Sequence, residues 1–231
     1  MSSANRPSDI NNKVLVFGPQ ALSFSEGVFH ELRSAIVEAT ENAWILDVIA
    51  GLPACFNTLC VKLPKLQAVQ GLHLLESLDV WLTTGTVPPA AENLPNILLT
   101  PLVVLTQLTQ YSKYVRIEGT SSGFGNDPYS ARDHQTRILG FCTGLLSGLA
   151  ISCASKEAEL QKYGAAAVRL AVLIGALVDL QELTGPHGQS KSFATAWSSV
   201  EQRADMTRVL QRYHEVRTLP MPRMTYRKLR S

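Results

Sequence analysis

Apolar positions along the chain follow two periods. Lys13-Val14-Leu15-Val16-Phe17 is a β-branched run that stops at Gly18-Pro19-Gln20. A run of this kind predicts a short buried strand, and the Gly-Pro pair forces a loop after it. From Glu26 to Thr40 the apolar residues are Val28, Phe29, Leu32, Ala35, Ile36 and Ala39, one face of a helix. Ala43 to Ala50 continues as helix, Gly51-Leu52-Pro53 is expected to break it, and Pro53 to Leu63 supplies another turn or two. Leu66, Val69, Leu72, Leu75, Leu78 and Leu82 predict a helix over 66–82. Gly85, Pro88, Pro89 and Pro95 make 83–95 a loop. Asn96 to Tyr114 is apolar on nearly every face, which places it at the centre of a core. Pro101 falls within its first turns, where proline is tolerated.

The second half changes rhythm. Glu118 to Asp133 is rich in Gly, Ser, Asn and Asp and reads as a surface loop. Arg137-Ile138-Leu139 is a short apolar strand, followed by a tight turn at Gly140-Phe141-Cys142-Thr143-Gly144 and an apolar helix from Leu145. Lys156 to Leu183 is one long helix or two joined ones, with Gly164 and Gly175 as soft points. Gly185 to Gly188 is a turn, Phe193 to Trp197 a strand, and Val200 to Val216 an amphipathic helix before a basic tail. Long helical stretches between few strands predict an α/β layered fold, with a small, mainly parallel sheet flanked by many helices. The expected organisation is a flexible N-terminus at 1–12, an α/β core at 13–190, and a smaller remnant with the basic tail at 191–231.

Composition narrows the class. A chain of 231 residues, 45% hydrophobic and 17% charged, is globular and suits one large domain or two small ones. A formal net charge of +2 selects no acidic partner. Cys55, Cys60, Cys142 and Cys153 have no C-x-x-C spacing and no neighbouring His pair, so no metal site is expected. Four cysteines are too few for a disulfide scaffold, which implies reduced thiols and a cytoplasmic setting. Met1 to Asn12 is polar and lacks the apolar core of a signal peptide. The apolar stretch Gly164 to Leu183 carries Arg169 and Asp179, which favours a buried helix over a membrane span. Arg203, Arg208, Arg212 and Arg217 form a basic stripe, but Glu201, Asp205 and Glu215 dilute it and no aromatic platform interleaves it. A solvated face, not a nucleic-acid site, is expected.

The chemistry points to one turn. Gly140-Phe141-Cys142-Thr143-Gly144 has the G-x-nucleophile-x-G form of a nucleophile elbow, in which a reactive side chain sits at a sharp strand-to-helix bend. Flanking residues must lack bulk where the backbones approach. The amide of Thr143 would face the same spot as the helix N-terminus, stabilising a developing oxyanion and lowering the thiol's pKa. The alternative is a small buried hydrophobe, the commonest role of a free cysteine between apolar residues.

Three stretches together resemble the starter-unit acyltransferase (SAT) domain of fungal non-reducing polyketide synthases. Val16-Phe17-Gly18-Pro19-Gln20 is similar to the strand and loop that open acyltransferases of the malonyl-transferase type. Leu94-Pro95 with Leu98 to Tyr111 is similar to the helix before the family's central loop. Gly140 to Leu146 matches the family's cysteine elbow. The resemblance implies an acyltransferase-type layered fold and transfer of an acyl group from a coenzyme A or fatty-acid-synthase thioester to Cys142. From there the group passes to the phosphopantetheine thiol of an acyl carrier protein. It implies Cys142 as nucleophile and the amides of Gln20 and Thr143 as oxyanion hole. No resident cofactor is implied, and neither nucleic acid nor membrane as partner. Where malonyl-selective relatives carry an Arg, the alignment places Ile174, which implies an uncharged acyl chain; Arg169 is the rival position and reads as a surface residue.

The family also carries a catalytic His beyond a small ferredoxin-like subdomain. None of His30, His73, His134, His187 and His214 occupies that motif. Phe193 to Trp197 and Val200 to Val216 resemble only the subdomain's first strand and helix. The expectation is a truncated member with impaired proton transfer. Two other readings stay open: a module that only docks, and a Cys thioesterase or hydrolase using Asp179 or Glu182 with His187.

Overall fold

The computed structural model describes residues 13–19, 24–88, 93–121, 136–184 and 199–218. The chain divides into two units, Met1–Ser190 and Lys191–Ser231.

The first unit is helical around one small sheet. Strand β1 (Val14–Phe17) is followed by α1 (Glu26–Val37), α2 (Ala43–Lys62), α3 (Gly71–Thr84) and α4 (Asn96–Ser121). Strand β2 (Arg137–Gly140) then leads into α5 (Gly144–Cys153) and α6 (Glu157–Thr184). β1 and β2 pair in parallel, with Val14 opposite Arg137 and Phe17 opposite Gly140. A parallel pair needs a crossover, and here four helices supply it. This is the α/β arrangement the pattern predicts.

The core sits where sequence apolarity is densest. Leu98, Leu102, Val103, Val104 and Leu105 of α4 are fully buried, because helices cover this helix on several sides: α6 above all, and α1, α3 and α5. Phe29 of α1 meets Trp81 of α3 edge-on at 5.3 Å. Arg33 then caps the end of α3, its Nε donating to Leu82 O at 2.9 Å and Trp81 O at 3.2 Å. Trp81 O also accepts from the Gly85 amide at 2.8 Å; both carbonyls lie in the last turn of α3, where the guanidinium adds a donor and complements the helix dipole.

Three boundaries differ from the expectation. α2 runs straight through Gly51-Leu52-Pro53. Its buried stripe of Ile45, Val48, Ile49, Leu52, Phe56 and Cys60 is unbroken. Burying that stripe outweighs the roughly 3 kcal/mol that an interior proline costs. The predicted helix over 66–82 is instead a 3-10 turn at Pro64–Ala68 and α3 from Gly71. Leu66 and Val69 are buried in either arrangement, so apolar spacing alone does not separate the two. The loop expected from Glu118 begins later, since α4 reaches Ser121. α6 is continuous through Gly164 and Gly175. The strand expected at Phe193–Trp197 lies outside the described residues.

α2 and α6 are long and apolar enough to cross a bilayer by length and composition alone. Here their apolar stripes pack into the core, and Asp179 of α6 has a structural task. Its Oδ1 accepts from the Asn96 amide at 2.8 Å and from Asn96 Nδ2 at 2.9 Å, while Oδ2 accepts from the Ile97 amide at 2.8 Å. A buried carboxylate thus caps the central helix from a neighbouring one. Replacing Asp179 by Ala leaves those amides unpaired, and urea unfolding is expected to show a loss of about 2 kcal/mol; Asn, which keeps one acceptor, is expected to lose less.

The second unit contains α7 (Val200–Thr218). Arg203, Arg208 and Arg212 are exposed on it, and Arg208 pairs with Asp205 at 2.9 Å.

Candidate active site at the β2–α5 turn

The turn is built by close approach. Phe141 N donates to Phe17 O at 2.9 Å, extending the ladder one residue past β2. The chain then reverses at Cys142, which has φ 53°. Among the described residues it is the one non-glycine with positive φ. Left-handed backbone costs a residue with a Cβ about 1–2 kcal/mol and persists where surrounding contacts enforce it.

Those contacts come from both glycines. A Cβ on Gly140 would stand 2.6 Å from Gly144 O and from Leu145 Cα. A Cβ on Gly144 would stand 2.2 Å from Phe17 O and 2.5 Å from Gly18 O. No real side chain fits at such distances from backbone. The G-x-C-x-G spacing is therefore a steric requirement of β1, β2 and α5 meeting at one point.

Cys142 is solvent-exposed, which removes the reading of it as a buried hydrophobe. Thr143 is buried, and its Oγ1 lies 3.9 Å from Cys142 Sγ. The next three amides are taken by carbonyls three residues back: Gly144 by Phe141, Leu145 by Cys142 and Leu146 by Thr143, at 2.9–3.1 Å. The Thr143 amide, at the position before α5, is not among the backbone donors of the described residues. It is the amide an anion at the helix N-terminus would use. Phe141 and Leu145, one residue before Cys142 and three after it, are exposed apolar side chains at 54% and 51%.

The other expected site residues are placed less centrally. Gln20 lies outside the described residues. Ile174 is an exposed apolar side chain on α6, and Arg169 is exposed on the same helix. His30 and His73 are exposed on α1 and α3, His214 lies in α7, and His134 and His187 fall outside the described residues. Asp179 is not the free acid of a triad, since both of its oxygens cap α4; Glu182, the alternative acid, lies in α6. A separate open cleft of about 640 Å³ is lined by Phe56, Cys60, Val69, Gly71, His73 and Glu76 among others; it thus includes His73, but neither Cys142, Thr143 nor Ile174. Burial pushes the Cys60 thiol up, disfavouring its thiolate.

One residue of this neighbourhood escaped the sequence reading. Gln107 of α4 donates from Nε2 to Gly18 O at 3.0 Å. Its signal was a single amide inside the otherwise apolar run from Leu102 to Leu108, interrupted only by it and Thr106.

A thiol on an exposed left-handed turn, ahead of a helix N-terminus and behind a parallel strand, has the strand–turn–helix form of an elbow in an α/β protein. The family model for the SAT domain, described as starter unit:ACP transacylase in aflatoxin biosynthesis, matches residues 15–226. The chain belongs to this family. It is 48% identical over 217 residues to the non-reducing polyketide synthase tazA of Aspergillus terreus, covering 93% of this chain and 8% of that protein. It is 45% identical over 202 residues to the non-reducing polyketide synthase pigA of Monascus ruber, covering 87% and 7%. With the clavatol synthase claF of Penicillium crustosum it shares 42% over 207 residues, covering 89% and 8%. The chain thus spans under a tenth of the length of these relatives.

Proposed function

We propose that this chain carries out starter-unit acyl transfer through Cys142, as part of polyketide biosynthesis. The single observation that carries the reading is the exposed, left-handed Cys142 two residues before the start of α5. Its sulfur, as thiolate, attacks the carbonyl carbon of a coenzyme A or fatty-acid-synthase thioester. The carbonyl π electrons move to oxygen, and the amides of Thr143 and Gln20 hold that oxyanion. Collapse of the intermediate expels the donor thiolate and leaves an acyl thioester on Cys142. The phosphopantetheine thiol of an acyl carrier protein, once deprotonated, attacks that thioester in the same way and regenerates the Cys142 thiolate. Each step exchanges one thioester for another, so the energies nearly balance.

An uncharged acyl chain suits the surroundings. Phe141 and Leu145 present exposed apolar side chains on either side of Cys142 in sequence, and Ile174 replaces a position where a cation would pair a free carboxylate. The first half-reaction needs only the thiolate, whereas the second needs a proton removed from the incoming thiol. They are therefore tested apart. Incubation with acetyl- or hexanoyl-coenzyme A is expected to add one acyl mass to the intact protein, mapped to Cys142. Absence of that adduct, under conditions where a longer relative labels, would sink the reading. Docking without catalysis would then be the surviving one.

A further inference from the structure

Gln107 is 8% exposed and sits in a helix whose neighbouring Val103, Val104 and Leu105 are fully buried. Its Nε2 donates to Gly18 O, but its Oε1 has no partner among the described residues. A buried amide satisfied on one side only contributes little net stability, because the unpaired oxygen has lost its water. An apolar side chain of similar shape would hold the core as well. The position of the bond suggests what the amide does instead.

Gly18 O is one of the atoms against which α5 is seated. A Cβ on Gly144 would reach it at 2.5 Å, and the preceding carbonyl, Phe17 O, accepts the Phe141 amide at 2.9 Å. Both carbonyls stand against the turn that carries Cys142 and Thr143, Phe17 O at Phe141 and Gly144 and Gly18 O at Gly144. A small rotation about the Gly18 backbone, which links the Phe17–Gly18 and Gly18–Pro19 peptides, would shift both contacts and with them the Thr143 amide. Through Gln107, α4 holds the carbonyl of the second of these peptides.

We propose that Gln107 is a positioning residue for acyl transfer at Cys142. It fixes the carbonyl edge at the end of β1, so that the Thr143 amide stays aimed at the thioester oxygen. This rests on the acyl-transfer reading and adds to it a residue with no contact to substrate.

Two reactions of the same sulfur separate positioning from packing. Acylation by a coenzyme A thioester passes through an oxyanion. Alkylation by iodoacetamide is a displacement at carbon and forms none. Gln107→Met removes the amide at similar volume, and Gln107→Glu keeps the shape while losing the N–H donor. For both, acylation of Cys142 is expected to fall roughly 10–100-fold, less than or equal to the loss of an oxyanion-hole donor itself. Alkylation of Cys142 is expected to stay near wild type in both variants, and the urea midpoint to stay there in Gln107→Met; Gln107→Glu sets a buried carboxyl against a carbonyl and is expected to lower the midpoint. Unchanged acylation in both variants would overturn the proposal. An equal fall in acylation and alkylation would also overturn it, by making Gln107 a packing residue. Wild-type protein that alkylates but never acylates would instead refute the acyl-transfer reading itself, and this inference with it.

Discussion

Replacing Cys142 by glycine is expected to abolish the acyl adduct while leaving the protein as stable as before, or slightly more so. The two effects come from one feature. At φ 53° the backbone of residue 142 is in the region glycine enters freely and a residue with a Cβ does not. Relief of that strain is worth about 1 kcal/mol, partly offset by the greater freedom glycine has in the unfolded chain. The side chain lost is exposed, so little burial is lost with it. Intact-mass measurement with acyl-coenzyme A and a urea titration read the two effects separately. Cys142→Ala makes the same chemical deletion but keeps the strain, and its midpoint should fall at or below that of the glycine variant. An adduct persisting on the glycine variant would move the nucleophile to another thiol. A loss beyond about 2 kcal/mol would make Cys142 a packing residue after all.

Gly144→Ala is expected to have the largest effect on stability. The added Cβ would be 2.2 Å from Phe17 O and 2.5 Å from Gly18 O. These are backbone atoms of a paired strand, and no side-chain rotation relieves the clash. Either β1 or the first turn of α5 must move. Overpacking of this kind costs about 3 kcal/mol. The displaced element also carries the Thr143 amide, so acylation should fall at least tenfold in whatever fraction stays folded. Alanine is otherwise a better helix former than glycine, so on propensity alone the change would stabilise α5. A measured gain in stability would mean the strand and the helix do not meet as closely as described here.

Family membership and the local geometry of the turn reinforce each other. The relatives it matches are polyketide synthases and related synthases of which it spans under a tenth. The geometry says which atom of that small part is presented to solvent. Asp179 shows the opposite lesson. An acidic residue in an apolar helix, followed by a histidine, suggested a catalytic pair. The structure gives its carboxylate to the amides of Asn96 and Ile97, an end-cap for the most buried helix in the molecule.

Local sequence determined the elements whose cause is local. The i, i+3, i+4 stripe of α1 and the all-round apolarity of α4 each stated their element and its burial. The β-branched run at Val14–Phe17 stated its strand but not its burial, since Val14 and Val16 are exposed and only Phe17 of the four is buried. The G-x-C-x-G turn was legible because two glycines around Cys142 reflect a crowding that acts over a few residues. Tertiary structure alone decided what depends on residues far apart in the chain. Pro53 stays inside α2 because the stripe around it is buried against other helices, and that energy is invisible to a scan for helix breakers. Gln107 holds Gly18 across 89 positions, and Asp179 holds Ile97 across 82. A hydrogen bond between distant segments leaves at each end only one polar residue in an apolar run. Which partner it finds is set when the helices pack.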